Sequence, residues 1–255
     1  MLKFLVSIIA VLGMLLTLFV SEGESAGLVM SLKLDDGAGK VAKDATGNGN
    51  DGTINGDAQW VDGKSGGALK LTGPKGKGFL EPGLNAKWWN KNINNASVFM
   101  WVKSNDMKQP IFFGSQDPQN VRLYLAVKDG FWNMGIQDKS WGGGHKGTLA
   151  KADTEWHAIA LTMDKGTATL YVDGEKTITK PYTKDLVTNK TPLIGALNKV
   201  NDGASYFLNG IIDEVRMWDE ALTQADIKAN MKISTITTAV FPEGHLTMTW
   251  GKIKK

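Results

Sequence analysis

The sequence predicts an all-β protein whose folded part is one two-sheet antiparallel sandwich. Apolar and polar residues alternate with a period of two in short runs, and Gly, Asp and Asn separate these runs. The chain has 255 residues and no cysteine, so an exported form must be held by its core rather than by disulfides. A chain of this size buries about 70% of its unfolded surface, which is enough for a single sandwich.

The N-terminus has the layout of a signal peptide, which we place at residues 1–25. Lys3 precedes an apolar run from Phe4 to Val20, and the small residues Ser25 and Ala26 follow. A retained membrane anchor is the alternative, since the run is near the lower length limit for a span. Small residues rather than a basic cluster follow it, which favours cleavage. We therefore expect a secreted or periplasmic protein without a membrane span, and the lack of cysteine favours a bacterial origin.

The strands are predicted from the period-two runs, and three Gly-containing turns join some of them. Lys128-Asp129-Gly130, Asp164-Lys165-Gly166 and Val172-Asp173-Gly174 each place Gly where a tight turn needs positive φ, which predicts antiparallel neighbours. The clearest predicted strands are Leu28–Leu34, Ala68–Leu71, Val98–Lys103, Val121–Val127, Phe131–Ile136, Trp156–Met163, Thr167–Val172 and Phe207–Trp218.

One short helix is predicted over Ala221–Met231, where apolar residues recur near helical spacing. Thr223 and Asp226 form the T-x-x-D signal of a helix start. The sandwich domain is accordingly placed at residues 26–231. Residues 232–255 form an extension with two weak β runs, which is either a hairpin or a tail.

The charge is small and mixed. The net charge is +3, and it becomes +4 when residues 1–25 are removed, because Lys3, Glu22 and Glu24 leave with them. Basic residues are interleaved with acidic ones, so there is no basic stripe that follows phosphates, and nucleic acid is not an expected partner.

Three ordered blocks carry a resemblance to a known family. The first block is Leu34-Asp35-Asp36-Gly37-Ala38-Gly39 followed by Lys43 to Gly52. The second block is Gly67-Ala68-Leu69-Lys70-Leu71. The third block is Gly210 to Leu222, which contains Ile212-Asp213-Glu214-Val215-Arg216. Over residues 27–231 the chain resembles the laminin-G-like branch of the concanavalin A-like lectin/glucanase jelly rolls. The resemblance implies two packed antiparallel sheets, an oxygen-ligated calcium, and binding of carbohydrate or a cell surface.

A structural calcium site is expected from that resemblance at Asp44, Asn48, Asn50 and Asp213. Asp44, Asn48 and Asn50 crowd oxygen donors into a Gly-rich loop, and calcium takes six to eight oxygens in irregular geometry. Without the resemblance, the same residues favour the interpretation as plain turns. Strand alternation places Asp213 on the face of Val215 and Met217, where a buried carboxylate needs a partner.

Catalysis is not expected. Retaining glucanases use two Glu on one strand face, in a pattern that resembles E-x-D-x-E. The chain has no such triplet. Asp213 and Glu214 are adjacent, so their side chains are expected to point to opposite faces of the strand. The three histidines show no metal-ligand spacing, and His157 is interpreted as an ordinary strand residue.

A glycan site is expected at one loop end. Trp141 and His145 flank three glycines in one loop, and Trp89 lies in another. An aromatic ring can stack on the apolar face of a sugar, although packing against the sandwich edge is an equal alternative for each tryptophan. We therefore expect a carbohydrate-binding, lectin-like module that binds a glycan or cell-surface polysaccharide. An adhesion module that binds protein at a cell surface is the alternative, and a glycoside hydrolase is a third class.

Overall fold

The computed structural model describes residues 27–84, 88–89, 91, 94–116, 122–138, 150–182, 191–199 and 203–232. The expected signal peptide, and all but the first residue of the expected C-terminal extension, lie outside these ranges. Among the residues described, no helix is long and apolar enough to cross a membrane.

The described residues are mostly strands, and the two helices with defined bounds are short. The helices are α1 (Gly73–Gly76) and α2 (Gln224–Met231). The strands are β1 (Leu28–Leu32), β2 (Val41–Ala42), β3 (Gly52–Asn55), β4 (Ala58–Asp62), β5 (Gly67–Thr72), β6 (Phe79–Glu81), β7 (Asn95–Ser104), β8 (Ile111–Gln116), β9 (Arg122–Lys128), β10 (Phe131–Asp138), β11 (His157–Asp164), β12 (Thr167–Val172), β13 (Glu175–Pro181), β14 (Leu193–Ile194), β15 (Leu197–Lys199), β16 (Gly203–Ser205) and β17 (Asn209–Trp218).

The strands form two sheets that pack as a sandwich. The first has the order β13-β12-β11-β7-β17-β5-β4, with β1 also paired to β17. The second has the order β10-β9-β8-β14-β6-β3-β2, with β15 and β16 attached beside β8. Of the strand pairs that the described ranges contain, all but one are antiparallel, the exception being the single β15–β8 contact. The predicted sandwich is therefore confirmed. Strand β13 ends one sheet, β10 ends the other, and the two approach each other at the open side of the sandwich.

The core fills the space between the sheets because alternate residues of each strand point inward. On β10 the inward residues are Trp132, Met134 and Ile136, and on β11 they are Ile159, Leu161 and Met163. All of these side chains are at most 3% exposed. The period-two pattern of the sequence thus predicts which face of these strands is buried in the core.

Helix α2 covers the outer face of the first sheet. Its Ile227, with Leu222 just before the helix, packs against Phe99, Tyr171 and Trp218. The predicted start signal is confirmed as a capping box between Thr223 and Asp226.

Hydrogen bonds from Arg216 fasten the end of α2 to the sheet. Arg216 donates to the backbone carbonyl of Asn230 at 3.2 Å and to its side-chain oxygen at 3.1 Å. Arg216 also pairs with Glu214, and both side chains are 7% exposed. The helix is thus held by hydrogen bonds from a buried arginine as well as by apolar contacts.

The three predicted turns are confirmed as tight hairpins. Both central residues of each turn have positive φ, for example 51° at Asp173 and 78° at Gly174. This geometry matches the twist of the flanking strands, which pair antiparallel as β9–β10, β11–β12 and β12–β13.

A bulge in β17 corrects the expectation for Asp213. Asp213 lies opposite Trp101 and Arg216 opposite Phe99, so the interval contains one extra residue, and Glu214 has φ 52°. Ile212, Val215 and Met217 all belong to the core between the sheets. Because the bulge breaks the alternation, Asp213 does not share a face with Val215 and Met217, which the sequence pattern predicted.

Candidate functional site

A cleft of about 490 Å³ opens between the edge strands β10 and β13. Its floor contains Trp132 and Val172, which point inward between the sheets. Its rim is polar and includes Lys151, His157, Asp173, Glu175, Lys176 and Thr177. The cleft lies where each sheet ends among the described strands, and the segment 150–152 pairs with the outer edge of β10.

The floor is held rigidly by aromatic packing. The ring of Trp132 lies 5.7 Å from that of Phe112 and 5.2 Å from that of His157, the second contact being edge to face. Trp132 is only 3% exposed. It therefore offers a small apolar surface rather than a full ring face.

His157 is clamped between two carboxylates at one wall of the cleft. Its Nδ1 lies 2.7 Å from Asp173 Oδ2, and its Nε2 lies 3.0 Å from Asp153 Oδ1. The hydrogen bond to Asp173 and, secondarily, the one to Asp153 raise the pKa of His157 from 6.5 to about 9, against the opposing effect of burial. His157 is therefore a cation at neutral pH and donates from both ring nitrogens.

The acidic groups of the rim already have hydrogen-bond or ion-pair partners within the protein. Asp173 also accepts the backbone N–H of Ala158 at 3.0 Å. Glu175 pairs with Lys228 at 2.6 Å and accepts from the Gln224 amide at 3.0 Å, which ties the β13 edge to α2. The Lys228 pairing lowers the pKa of Glu175.

A second polar site surrounds Asp213, which is fully buried. Its Oδ2 accepts the backbone N–H of Ser65 at 3.0 Å, and its Oδ1 has no hydrogen-bond partner among the described residues. Burial raises the pKa of Asp213 to about 7, assisted by the neighbouring Glu214 and opposed by the Ser65 N–H. An unpartnered buried carboxylate oxygen is costly, so this site calls for a proton or a cation.

Glycines of the β4–β5 turn lie close to the Asp213 carboxylate, on the side of its Oδ2. A Cβ atom on Gly63 would lie 2.4 Å from the carbonyl oxygen of Gly67 and 2.6 Å from Asp213 Oδ2. Asp35 Oδ1 accepts the Gly67 N–H at 2.6 Å. A Cβ on Gly67 would lie 2.8 Å from the Leu34 carbonyl oxygen. Carboxylate and carbonyl oxygens from three segments therefore converge at this turn.

This oxygen set has the chemistry that calcium prefers, since calcium accepts both carboxylate and backbone carbonyl ligands. No cluster of three or more His, Asp or Glu side chains suited to a metal occurs in the described part of the chain. A cation here would therefore depend on backbone carbonyls as well as on Asp213 and Asp35. Asp35 was not among the residues predicted to bind calcium, although it belongs to the first block of the family resemblance.

The other residues predicted to bind calcium make hydrogen bonds within their loop and to β1, and calcium binding by them stays a prediction. Both carboxylate oxygens of Asp44 are occupied, because they accept the backbone N–H groups of Ser31 and Asn50, each at 3.0 Å, and the hydroxyl of Thr46 at 2.8 Å. Asn48 and Asn50 donate their side-chain amides to the Val29 carbonyl, at 3.1 and 2.7 Å.

Asp44, Asn48 and Asn50 therefore fasten their loop to β1, as expected of Asx residues in turns. In the described residues, no group that bonds to Asp44, Asn48 or Asn50 also bonds to Asp213. The structure thus groups Asp213 with the Gly63–Gly67 turn and Asp35, not with the Asp44 loop.

Of the three predicted glycan residues, Trp89 lies within the described ranges. Trp89 is 2% exposed in the core, where its ring packs edge to face on Phe113 at 5.4 Å, so neither of its faces is open to a sugar. Packing, the alternative left open for this residue, is what the structure shows. Trp141 and His145 lie outside the described residues, and their role stays a prediction.

A laminin-G family model, described as the concanavalin A-like lectin/glucanases superfamily, matches residues 85–228. The chain belongs to this superfamily. The matched residues contain the strands that form the edge cleft, from β8 to β13. The resemblance identified from three sequence blocks is therefore confirmed.

Solved structures share the fold at low sequence identity. Domain 4 of AbnA, a GH43 extracellular arabinanase from Geobacillus stearothermophilus, in complex with arabinotriose, has a TM-score of 0.60 and 22% identity, covering 81% of this chain and 99% of that one. The receptor-binding domain of botulinum neurotoxin C/D mosaic serotype has a TM-score of 0.58 and 18% identity, covering 80% and 50%.

A further neighbour is botulinum neurotoxin type C, whose uptake into cells depends on two ganglioside molecules. It has a TM-score of 0.60 and 15% identity, covering 80% of this chain and 50% of that one. The chain thus spans about half the length of these toxin structures. No curated protein matches the chain.

Proposed function

We propose that this chain is an exported, non-catalytic carbohydrate-binding module whose ligand occupies the cleft between β10 and β13. The observation that carries the proposal is the cleft itself, with an apolar floor and a hydrogen-bonding rim. Its volume of about 490 Å³ falls within the range of small-molecule sites, roughly 300 to 1,000 Å³.

The chemistry of the cleft suits a sugar. Trp132 and Val172 offer an apolar surface for the C–H groups of a pyranose or furanose ring. Thr177 offers a hydroxyl, and Lys151 and Lys176 offer exposed ammonium groups for the sugar hydroxyls. Because His157 holds Asp173 in place, this wall of the cleft is set before a ligand arrives.

Two structural neighbours support the ligand class. The arabinanase domain is in complex with arabinotriose, and the type C neurotoxin interacts with gangliosides, which are glycolipids. The arabinanase is extracellular, which agrees with the export that a signal peptide at residues 1–25 implies for this chain. The adhesion alternative is less well supported, because Val41 and Phe131 are the large apolar residues exposed in the described ranges, and one lies on β2 and the other on β10.

A non-catalytic role is supported by the state of the acids in the cleft. Glycoside hydrolysis uses one carboxylic acid with a raised pKa and a second free carboxylate across the sugar bond. Asp153 and Asp173 share the His157 cation, and Glu175 is paired with Lys228. The pKa values of Asp153 and Glu175 are lowered by these pairings.

A structural calcium is part of the proposal, held by Asp213, Asp35 and carbonyl oxygens of the Gly63–Gly67 turn. Calcium would supply the positive charge that the buried Asp213 lacks. Asp213 and Asp35 would then tie β17, the end of β1 and the β4–β5 turn together.

The test is a glycan-array screen of the purified chain, first with calcium and then with a chelator. The proposal expects selective binding to a defined set of glycans, with calcium mainly raising thermal stability. Absence of binding to any glycan under both conditions would contradict the carbohydrate proposal and favour a protein partner.

A further inference from the structure

The acidic residues that line the cleft are in ion pairs, whereas its two lysines have no carboxylate partner among the described residues. The acids Asp173 and Glu175 face the cleft, and each has a cation within 2.7 Å. The bases Lys151 and Lys176 also line the cleft, and both are exposed. Across the residues that the structure describes, no carboxylate lies within 4.0 Å of either ammonium group.

The two lysines stand on opposite walls. Lys176 belongs to β13, the edge of the first sheet. Lys151 lies along the edge of β10, where it forms an isolated bridge with Phe131. The Ala150 carbonyl accepts from Trp132, and the Ala152 N–H donates to Gly130, both at 2.9 Å. The backbone that carries Lys151 is therefore fixed to the second sheet, so one lysine comes from each sheet.

The residues that line the cleft carry a net positive charge, and this charge remains when their outer ion-pair partners are counted as well. The lining residues contribute three cations, Lys151, Lys176 and protonated His157, against two anions, Asp173 and Glu175. Asp153 and Lys228, the outer partners, add one charge of each sign. An anionic ligand would therefore meet two ammonium groups without breaking an existing ion pair, whereas a neutral sugar would gain only hydrogen bonds from them.

We propose that the cleft selects anionic glycans, with Lys151 and Lys176 pairing with carboxylate or sulfate groups on the sugar from the two walls. This inference rests on the proposed carbohydrate function and specifies its ligand class. Because both ammonium groups are exposed, each pairing is modest and sensitive to salt, and the loss of one lysine weakens binding about fivefold.

The test compares matched charged and neutral probes on the purified chain. Oligogalacturonate is compared with its methyl ester, and dextran sulfate with dextran, at low and at high salt. The variants are K151Q, K176Q and the double variant. The matched control is the double variant K75Q/K77Q, whose two exposed lysines lie on and just after α1, beside β5 and five strands from β13 in the same sheet.

The proposal expects a charged probe to bind more tightly than its neutral counterpart, and high salt to reduce the difference. The carboxylate and sulfate arms identify which anion is preferred. The double variant K151Q/K176Q should lose about 20-fold in affinity for that probe, while K75Q/K77Q retains it.

Three outcomes would overturn the inference in different ways. Equal binding of neutral and charged probes, unchanged in K151Q/K176Q, would remove the anionic preference and leave the carbohydrate function intact. Binding to no glycan at all on the array would remove both. An anionic preference lost equally in K75Q/K77Q would show a diffuse charge effect rather than recognition in the cleft.

Discussion

His157 and Asp173 are joined by a 2.7 Å hydrogen bond that connects the start of β11 to the β12–β13 turn. The same ring reaches Asp153 in the segment before β11. One protonated imidazole therefore holds two segments of the cleft wall, and its hydrogen bond lowers the pKa of Asp153.

The substitution H157Q should destabilise the protein in a pH-dependent way. Because folding raises the pKa of His157 from 6.5 to about 9, its stabilising contribution is complete below pH 6.5 and is lost as the pH rises through 9. We expect a difference of about 1 to 2 kcal/mol between wild type and variant at the lower pH, after allowance for solvent screening. Urea unfolding on either side of this window measures it. A difference that stays constant across the window would contradict the assignment.

The substitution D213N should separate the calcium proposal from ordinary turn structure. Asn removes the buried negative charge, so the chelated variant should be at least as stable as chelated wild type. Calcium should raise the Tm of wild type and leave that of D213N unchanged. Differential scanning calorimetry with calcium and with chelator makes the measurement.

The matched control for that experiment is D44N, in the loop that the sequence favoured for calcium. Asp44 accepts hydrogen bonds from Ser31, Thr46 and Asn50, so D44N should lower the Tm equally with and without calcium. If D44N abolished the calcium response while D213N kept it, the site would be the Asp44 loop after all.

The substitution G63A should disturb the β4–β5 turn beside Asp213 through sterics. The added Cβ would lie 2.4 Å from the Gly67 carbonyl oxygen, which is backbone and cannot rotate away. We expect a loss of on the order of 2 kcal/mol in unfolding free energy and a weakened calcium response. The equivalent change at Gly130, G130A, meets no atom within 4 Å and is the control for steric effects, although its φ of 82° gives it a strain of its own. A G63A protein as stable and as calcium-responsive as wild type would contradict the geometry.

The substitution R216M should release α2 from the sheet. It removes the partner of buried Glu214 and the donor to Asn230, which leaves an uncompensated charge. We expect a loss of about 3 to 5 kcal/mol in unfolding free energy, and a smaller loss in the double variant E214Q/R216M. Chemical denaturation of both variants checks this order, and a double variant that is less stable than R216M would contradict it.

The local features of the fold were predictable from sequence. The Asp-Gly turn at Asp173 and the capping box at Thr223 depend on neighbouring residues alone, and both were predicted correctly. Strands such as β3 were missed, because Gly52–Asn55 is short and rich in turn-forming residues and becomes a strand only through pairing with β6.

The site was harder to predict because it depends on long-range register. His157 was interpreted as an ordinary strand residue, yet the β11–β12 pairing brings Asp173 beside it. Asp213 was identified correctly as a buried acid that needs a partner, but the bulge at Glu214 and the Gly63–Gly67 turn determine which groups it meets. Neither can be deduced from strand alternation.

The most direct test of the cleft as the glycan site is calorimetric titration of a glycan from the array into two variants, T177W and T53W. Thr177 lines the cleft, whereas Thr53 is an exposed residue on β3, near the opposite end of the second sheet. The account predicts that T177W, which fills the cleft with a large ring, loses binding at least tenfold while T53W binds as wild type does. Unchanged affinity in a folded T177W protein would contradict it and place the ligand elsewhere on the sandwich.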